Sequence, residues 1–395
     1  MRVLHLVTNT KGGAGIAATR LHLALLEQGQ DSVLLSRNTS GLPNSQICET
    51  SSIRKILSKF ITLLLKVVTV SPYSLVTPFS IKTLDYQQIK RINPDVIHIH
   101  NWYNLINLKM IAKLKKNYRV VLTLHDSRIY TGGCHYTHAC RGYVTNCAKC
   151  PAIRVGKFSV QKSKTESSQI SKLKIALIFP SEWLRSSYIE AYPLNNCYID
   201  VVPNVISASP VKPVRIFSNI KSWNVTFISA KLDNPTKGLS VLFKSLQQSE
   251  LNSPENRLIL VGERGHGDVP PDTLQMQLEY TGSIGEGAIS SILSKTHILA
   301  TPSLSDNLPS VIGEGQSHGC IVLGTRVGGI PELVEDGKNG FLCEPTFQDM
   351  SATINRIFYS EQLQEISKKA VESFHSKFKS DSLLIKHLEI YNARL

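Results

Sequence analysis

No stretch of the sequence reaches the roughly 18 uncharged apolar residues that a membrane-spanning helix needs. The apolar run Val3-Leu4-His5-Leu6-Val7 behind Met1-Arg2 is too short for an export signal. A transmembrane helix is thereby excluded, and a cytoplasmic protein is expected. Acidic residues are scarce: 30 Asp and Glu stand against 44 Lys and Arg, a formal net charge of +14. That imbalance calls for an anionic partner, whether nucleic acid, acidic lipid or a phosphate-bearing substrate. No internal repeat of short period is present, so a repeat array is excluded. Only 19% of residues are charged and 42% are hydrophobic, which sets aside a disordered or fibrous chain. With 395 residues there is more chain than one ordinary core accommodates, and two domains are expected. Eight cysteines with no export signal do not make a disulfide framework in a reducing compartment, leaving thiols or metal ligands.

The chain alternates between short apolar runs and helical periodicity. Arg2 to Thr8 reads as a buried strand, Lys11-Gly12-Gly13-Ala14-Gly15 as a loop, and Ile16 to Gln28 as a helix. Val33 to Leu35, Val96 to His100, Val120 to Leu124 and Ala176 to Phe179 continue as strands, with a helix such as Leu108 to Lys115 between them. This is the pattern of a parallel α/β sheet. A stretch rich in Pro and Ser, running to about Val214, reads as a linker. Beyond it Val225 to Ser229, Leu258 to Val261, Ile298 to Thr301 and Ile321 to Gly324 supply a second set of strands. The tail from Glu361 to Leu395 is helical in pattern. The expected division is 1–206, 207–372 and a C-terminal helix over 373–395 that packs back on the first domain.

The segment Ser303-Leu304-Ser305-Asp306-Asn307-Leu308-Pro309-Ser310-Val311-Ile312-Gly313-Glu314 puts two carboxylates on either side of a helix start. A carboxylate on the first turns of that helix can accept paired hydrogen bonds from the vicinal hydroxyls of a ribose, and one just before it can reach a sugar ring. The bland alternative for a single glutamate is a solvated helix face. Ser229-Ala230-Lys231-Leu232-Asp233-Asn234-Pro235-Thr236-Lys237-Gly238 follows a strand and carries two lysines six positions apart. Its bland alternative is a pair of solvated surface lysines.

Together these segments resemble retaining GT-B glycosyltransferases of family 4, the group 1 enzymes that include mannosyltransferases and polysaccharide-assembly enzymes. The resemblance spans nearly the whole chain. It implies two Rossmann-like domains facing each other across a cleft, an acceptor-side domain first and a nucleotide-sugar domain second. It further implies that Glu314 binds the nucleotide ribose, that Asp306 contacts the donor sugar with Asn307 and Leu308 beside it, and that Lys231 and Lys237 clamp the donor diphosphate. Asp306 stands where the family usually has Glu, and Lys231 where it has Arg, which keeps the charge but loses the bidentate fork. Gly13, in the loop before the first helix, is the position implied to lie over the diphosphate, a simple tight turn being the alternative. His125, closing the strand that ends Thr123-Leu124, is implied to lie beside the donor sugar and acceptor. A satisfied core histidine is the alternative there. His98 and His100 also lie near a strand end and are assigned no role.

The reaction so implied is transfer of a hexose-type sugar with retention of configuration and no catalytic metal, the donor carrying UDP in preference to GDP. The acceptor is a glycan or a polyprenyl-linked oligosaccharide of surface polysaccharide synthesis. Rivals are another GT-B enzyme, such as a nucleotide-sugar epimerase or an inverting transferase, and a zinc-containing nucleic-acid-binding protein. The last leaves the Asp306 to Glu314 segment unexplained, and no nucleic-acid partner is expected.

Two further features stand apart. Cys134, Cys140, Cys147 and Cys150 gather in a loop-rich insertion over 131–152, and four thiolates can hold a structural zinc. Unliganded thiols and redox or iron–sulfur chemistry are the alternatives. In the segment 54–70, Ile56, Leu57, Phe60, Ile61, Leu64, Val67 and Val68 recur at helical spacing with Lys55, Lys59 and Lys66 opposite. That suits either a basic amphipathic helix on an anionic membrane surface or an ordinary core-packed helix.

Overall fold

In a computed structural model, residues 1–39, 41–50, 52–70, 76–78, 80–206, 216–265 and 269–393 are described. Residues 207–215, which include most of the expected linker, and the side chain of Lys55 lie outside the described residues. The chain forms two compact units, Met1–Val205 with Ser380–Leu395, and Ile206–Lys379.

Unit 1 is built on a seven-stranded sheet of β1 (Arg2–Val7), β2 (Asp31–Ser36), β3 (Ser45–Ile47), β4 (Val96–Asn101), β5 (Arg119–Thr123), β6 (Ala176–Phe179) and β7 (Tyr198–Val201). The order across the sheet is β3-β2-β1-β4-β5-β6-β7, and every pairing is parallel. The near-continuous apolar runs of the central strands follow from burial on both faces. One face packs into a core of Leu4, Leu6, Ile97, Ile99, Leu122 and Leu177. The other face, with Val3, Val96, Val121 and Ile178, meets Leu21 and Leu25 of the helix Gly13–Glu27 and Leu383, Leu384 and Tyr391 of the helix Ser380–Asn392. The terminal helix returning to unit 1 thus starts at Ser380. The preceding helix, Leu363–Lys377, belongs to unit 2, because Phe374 and Phe378 are buried with Ile312, Val322 and Leu342 there. The boundary expected at 373 therefore falls inside that helix.

Unit 2 has a six-stranded sheet of β8 (Asn224–Lys231), β9 (Arg257–Glu263), β10 (Gln277–Gly282), β11 (Ile298–Thr301), β12 (Ile321–Thr325) and β13 (Phe341–Cys343). Its order is β10-β9-β8-β11-β12-β13, again all parallel. Strand order reverses direction at β1/β4 in unit 1 and at β8/β11 in unit 2. Such a reversal opens a crevice at the carboxyl ends of the two adjoining strands, where ligands of open α/β sheets bind. A hollow lined by Arg2, Asp31, Gln46, Glu49 and Arg91 in unit 1 includes the opposite ends of β1 and β2, and the topology gives no reason to expect a substrate there.

Candidate active site

In unit 2 the reversal brings two chain segments together. The turn after β8 carries Lys237, the loop after β11 carries Asp306, and the Leu304 backbone N–H donates to the Thr236 carbonyl at 2.8 Å. Asn234 caps the turn by accepting the Thr236 N–H. Lys237 Nζ then meets Asp306 Oδ2 at 2.6 Å, with side-chain exposures of 24% and 7%. Asp306 is further held by the Ser303 hydroxyl at 3.1 Å and by the Asn307 backbone N–H at 3.0 Å. A buried carboxylate with a cation and two neutral donors is satisfied, and its position is over-determined.

The loop leads through Asn307 and Leu308, both buried, and Pro309 into the helix Ser310–Ser317, which carries Glu314. Glu314 is half-buried, and its carbonyl accepts from Ser317 Oγ at 2.7 Å and His318 Nδ1 at 2.8 Å. Ser290 Oγ and His318 Nε2, 2.7 Å apart, complete that support. Lys231 stands differently: its side chain is 66% exposed and 3.9 Å from Glu263, at the end of β8. The structure therefore ties Lys237, Asp306 and Asn307 into one constellation, with Leu308 beside them, and leaves Lys231 on the surface.

Gly328 was missed by the sequence reasoning. Its φ is +57°, and an added Cβ would lie 1.6 Å from the Asp306 carbonyl oxygen, so only glycine fits. The following Gly329 N–H donates to the Asn307 carbonyl at 2.7 Å. This turn backs the carboxylate loop, and the Gly-Gly pair just before Ile330-Pro331-Glu332 is the signal that could have revealed it.

In unit 1 the loop after β1 leads into the helix Gly13–Glu27. A Cβ on Gly13 would meet nothing within 4 Å, whereas one on Gly15 would lie 2.2 Å from the Asn9 carbonyl oxygen. The fold itself requires Gly15, and the open space lies at Gly13. His125 follows β5, half-buried, with its pKa lowered to about 4 by burial, against an opposing pull from Asp126. Asp126 pairs with buried Arg128 at 2.5 Å. Burial raises its pKa, but the charges of Arg128 and His135 and the Arg128 hydrogen bonds prevail and hold it at about 2. Arg128, which the sequence reasoning passed over, gives the His125-Asp126 corner its fixed charge. His98 and His100 are buried, as is His5.

The insertion that carries the cysteines is irregular, with one short turn over Gly142–Val144. Cys147 and Cys150 are buried, and Cys134 and Cys140 are half-buried. Cys134 and Cys150 are hydrogen-bonded. The Gly142 backbone N–H donates to Cys140 Sγ at 3.4 Å. Four sulfurs are the donor type that a structural zinc takes, but burial raises the pKa of Cys147, and the Cys150 hydrogen bond together with burial raises that of Cys134, so both are held as thiols here. Yet it is His5, His98 and His100, not the four sulfurs, that form a group whose potential ligand atoms all lie within 4.8 Å of one another among the described residues.

The helix Ser52–Val68 leaves Ile53, Ile56, Leu57, Phe60, Leu63, Leu64 and Val67 between 48% and 78% exposed, while Ser58 and Leu65 are buried. The reading as an ordinary core helix is thereby corrected, since most of its apolar stripe faces away from the core. No helix among the described residues is long and apolar enough to cross a membrane.

The model of the family described as "Glycosyltransferase Family 4" matches residues 11–209, and that of "Glycosyl transferases group 1" matches residues 215–373. The chain belongs to the group 1, family 4 glycosyltransferases. Among solved structures, Anabaena HepE in complex with UDP and glucose is similar with a TM-score of 0.65 at 17% identity, over 98% of each chain. WaaG, a glycosyltransferase involved in lipopolysaccharide biosynthesis, is similar with a TM-score of 0.68 at 11% identity, over 99% of this chain and 100% of that one. At such identities these likenesses speak for the GT-B fold alone. The fission yeast (Schizosaccharomyces pombe) gpi3 subunit of phosphatidylinositol N-acetylglucosaminyltransferase is 24% identical over 51% of this chain and 44% of its own. The putative colanic acid biosynthesis glycosyl transferase WcaC of Escherichia coli K12 is 24% identical over 63% of this chain and 64% of its own. The matched stretches cover less than two thirds of either relative.

Proposed function

We propose that this glycosyltransferase moves a hexose-type sugar from a nucleotide-sugar donor to a glycan or polyprenyl-linked oligosaccharide acceptor, with retention of configuration and without a catalytic metal. The observation that carries the reading is the Lys237–Asp306 pair at the β8/β11 reversal, with Glu314 on the helix that follows directly. In this assignment Glu314 accepts the ribose hydroxyls and Asp306, with Asn307 and Leu308, meets the donor sugar. Lys237 opposes the charge that develops on the diphosphate as the bond to the anomeric carbon breaks. Lys231 supplies a second, solvated cation, and Gly13 of unit 1 leaves room for backbone amides near a phosphate. His125 touches the sugar. The HepE complex, with UDP and glucose, supports a UDP-linked donor over a GDP-linked one.

Surface polysaccharide synthesis is supported by the likeness to WcaC and by the exposed apolar face of Ser52–Val68, flanked by exposed Arg54, Lys59 and Lys66. Such a face, on a chain of net charge +14, suits the anionic surface where a polyprenyl-linked acceptor would reside. A structural zinc on Cys134, Cys140, Cys147 and Cys150 would stiffen the insertion. The test of the donor assignment is a panel of UDP- and GDP-sugars in a thermal-stability screen, followed by NMR of the product's anomeric centre. One UDP-hexose should raise the melting temperature by mass action, and the product should keep the donor's configuration. An inverted product, or stabilisation by GDP-sugars alone, refutes it.

A further inference from the structure

The helix Ser52–Val68 touches the rest of unit 1 along a narrow seam. Among its described side chains only Ser58 and Leu65 are buried, two helical turns apart, and most of its apolar residues are left in solvent. What fixes so exposed a helix is the chain at its C-terminal end. The Val70 N–H donates to the Ala152 carbonyl at 2.9 Å and the Arg154 N–H to the Val68 carbonyl at 3.0 Å, on either side of an antiparallel bridge between Thr69 and Ile153. Ala152 and Ile153 are buried in the same core as Cys147 and Cys150, where the cysteine insertion ends. Near the insertion's start the Thr77 N–H donates to the Gly133 carbonyl at 2.8 Å. Gly133 has φ +111°, and a Cβ there would lie 2.5 Å from the Thr77 carbonyl oxygen, so this second tie demands glycine. The insertion thus grips the chain that follows the helix at two points.

The chain leaving the insertion carries more exposed apolar surface. Val67 and Val155 flank the Arg154–Val68 hydrogen bond, one from each segment, and are 71% and 63% exposed. Phe158, in the first turn of the helix Lys157–Ser167, is 76% exposed. Scattered apolar residues on a surface need no explanation, but a set that adjoins an apolar helix marks an interaction site.

The charge decides what the site meets. Residues 52–70 hold four Lys or Arg and residues 149–165 hold five, and neither range contains Asp or Glu. Arg154, Lys157 and Lys162 are exposed, as are Lys59 and Lys66. A second copy of the chain seated here would set its own cations against these, and like charges at short range repel. An anionic bilayer offers an apolar layer to the valines and the phenylalanine and phosphates to the cations. We propose that the membrane face of unit 1 is a two-part surface, in which Val155 and Phe158 enter the interface of an anionic bilayer beside the helix Ser52–Val68, with Arg154 and Lys157 on its phosphates. The cysteine insertion is the mount that holds the two parts together.

This rests on the membrane reading above, and the experiment separates the two. The full chain is sedimented with vesicles of phosphatidylglycerol and phosphatidylcholine, and with phosphatidylcholine alone. Wild-type protein binds the first and not the second. Val155→Ser with Phe158→Ser weakens binding about tenfold or more, since burying two such side chains is worth at least that. Arg154→Glu with Lys157→Glu weakens it about thirtyfold. Melting temperatures stay at the wild-type value, because all four side chains are exposed in the fold. Phe158→Trp keeps binding and adds emission that brominated phosphatidylcholine in the vesicles quenches. If the Val155 and Phe158 variant binds as wild type while Lys59→Glu with Lys66→Glu does not, the helix alone is the face and the proposal falls, with the membrane reading intact. Unquenched emission from Phe158→Trp on bound protein has the same meaning. Wild-type protein that ignores anionic vesicles overturns both. A concentration-dependent dimer that Phe158→Ser dissociates would place a second copy on this face and also overturns the proposal.

Discussion

Replacing Lys237 by alanine should injure both turnover and stability, and the two can be measured apart. Lys237 Nζ sits 2.6 Å from Asp306 Oδ2, and the aspartate side chain is only 7% exposed. Truncating the lysine leaves that carboxylate with the Ser303 hydroxyl and the Asn307 N–H as its donors. Removing one partner of a buried pair costs about 3–5 kcal/mol. Lys237 keeps 24% of its side-chain exposure, so water can enter the gap, and the expected loss is near the lower limit, about 3 kcal/mol. Asp306→Asn in the same background removes the stranded charge and should recover most of it. Turnover should not recover, because the cation opposing the diphosphate is still missing, and one such contact is worth about 2.7–4 kcal/mol, or roughly a hundredfold or more in kcat. The assay is a double-mutant cycle on Lys237→Ala and Asp306→Asn, read by urea unfolding and by transfer rate with the donor identified in the screen. A Lys237→Ala protein with wild-type turnover refutes the clamp. Stability that does not return in the double variant refutes the stranded-carboxylate account.

Glu314→Gln should weaken donor binding about tenfold, read by calorimetry, with a smaller change in kcat, because the ribose is remote from the reacting carbon. Purified protein should carry about one zinc per chain by elemental analysis, and Cys147→Ala with Cys150→Ala should abolish it; metal-free wild-type protein with native stability refutes the site. Lys59→Glu with Lys66→Glu should reduce co-sedimentation with phosphatidylserine vesicles by about thirtyfold or more, from about 1 kcal/mol per basic residue removed; unchanged binding refutes the membrane face. Stability should fall as pH drops from about 6.5 towards 4. The folded pKa of His387 is lowered by burial to about 4, and those of His5, His98 and His100 are lowered also, so the unfolded chain binds more protons across that window. Each such histidine adds a slope of up to about 1.4 kcal/mol per pH unit, and a flat urea midpoint over the window refutes the buried-neutral assignment.

Local chemistry sufficed wherever one segment carried its own signal. The central strands of both sheets were legible because burial on two faces demands unbroken apolar runs, as in Val96-Ile97-His98-Ile99-His100 and Ile298-Leu299-Ala300-Thr301. The strands that escaped notice are β3, β7, β10 and β13, all sheet edges, β3 and β13 only three residues long and β7 and β10 partly polar. The carboxylate segment and the lysine turn could be picked out as candidates since each is continuous in sequence. Their pairing was not legible, because Lys237 and Asp306 lie 69 positions apart and meet only where β8 and β11 adjoin. Helical spacing in Ser52–Val68 made an apolar stripe certain but could not say which side of it the protein covers; only the tertiary packing leaves Phe60 and Val67 outside and Leu65 inside. The same holds for the histidines. Composition counts 12 of them, but it takes the register of β1 on β4 to put His5 beside His98 and within reach of His100, because hydrogen bonds between distant strands depend on how the sheet is ordered and not on any one strand's sequence.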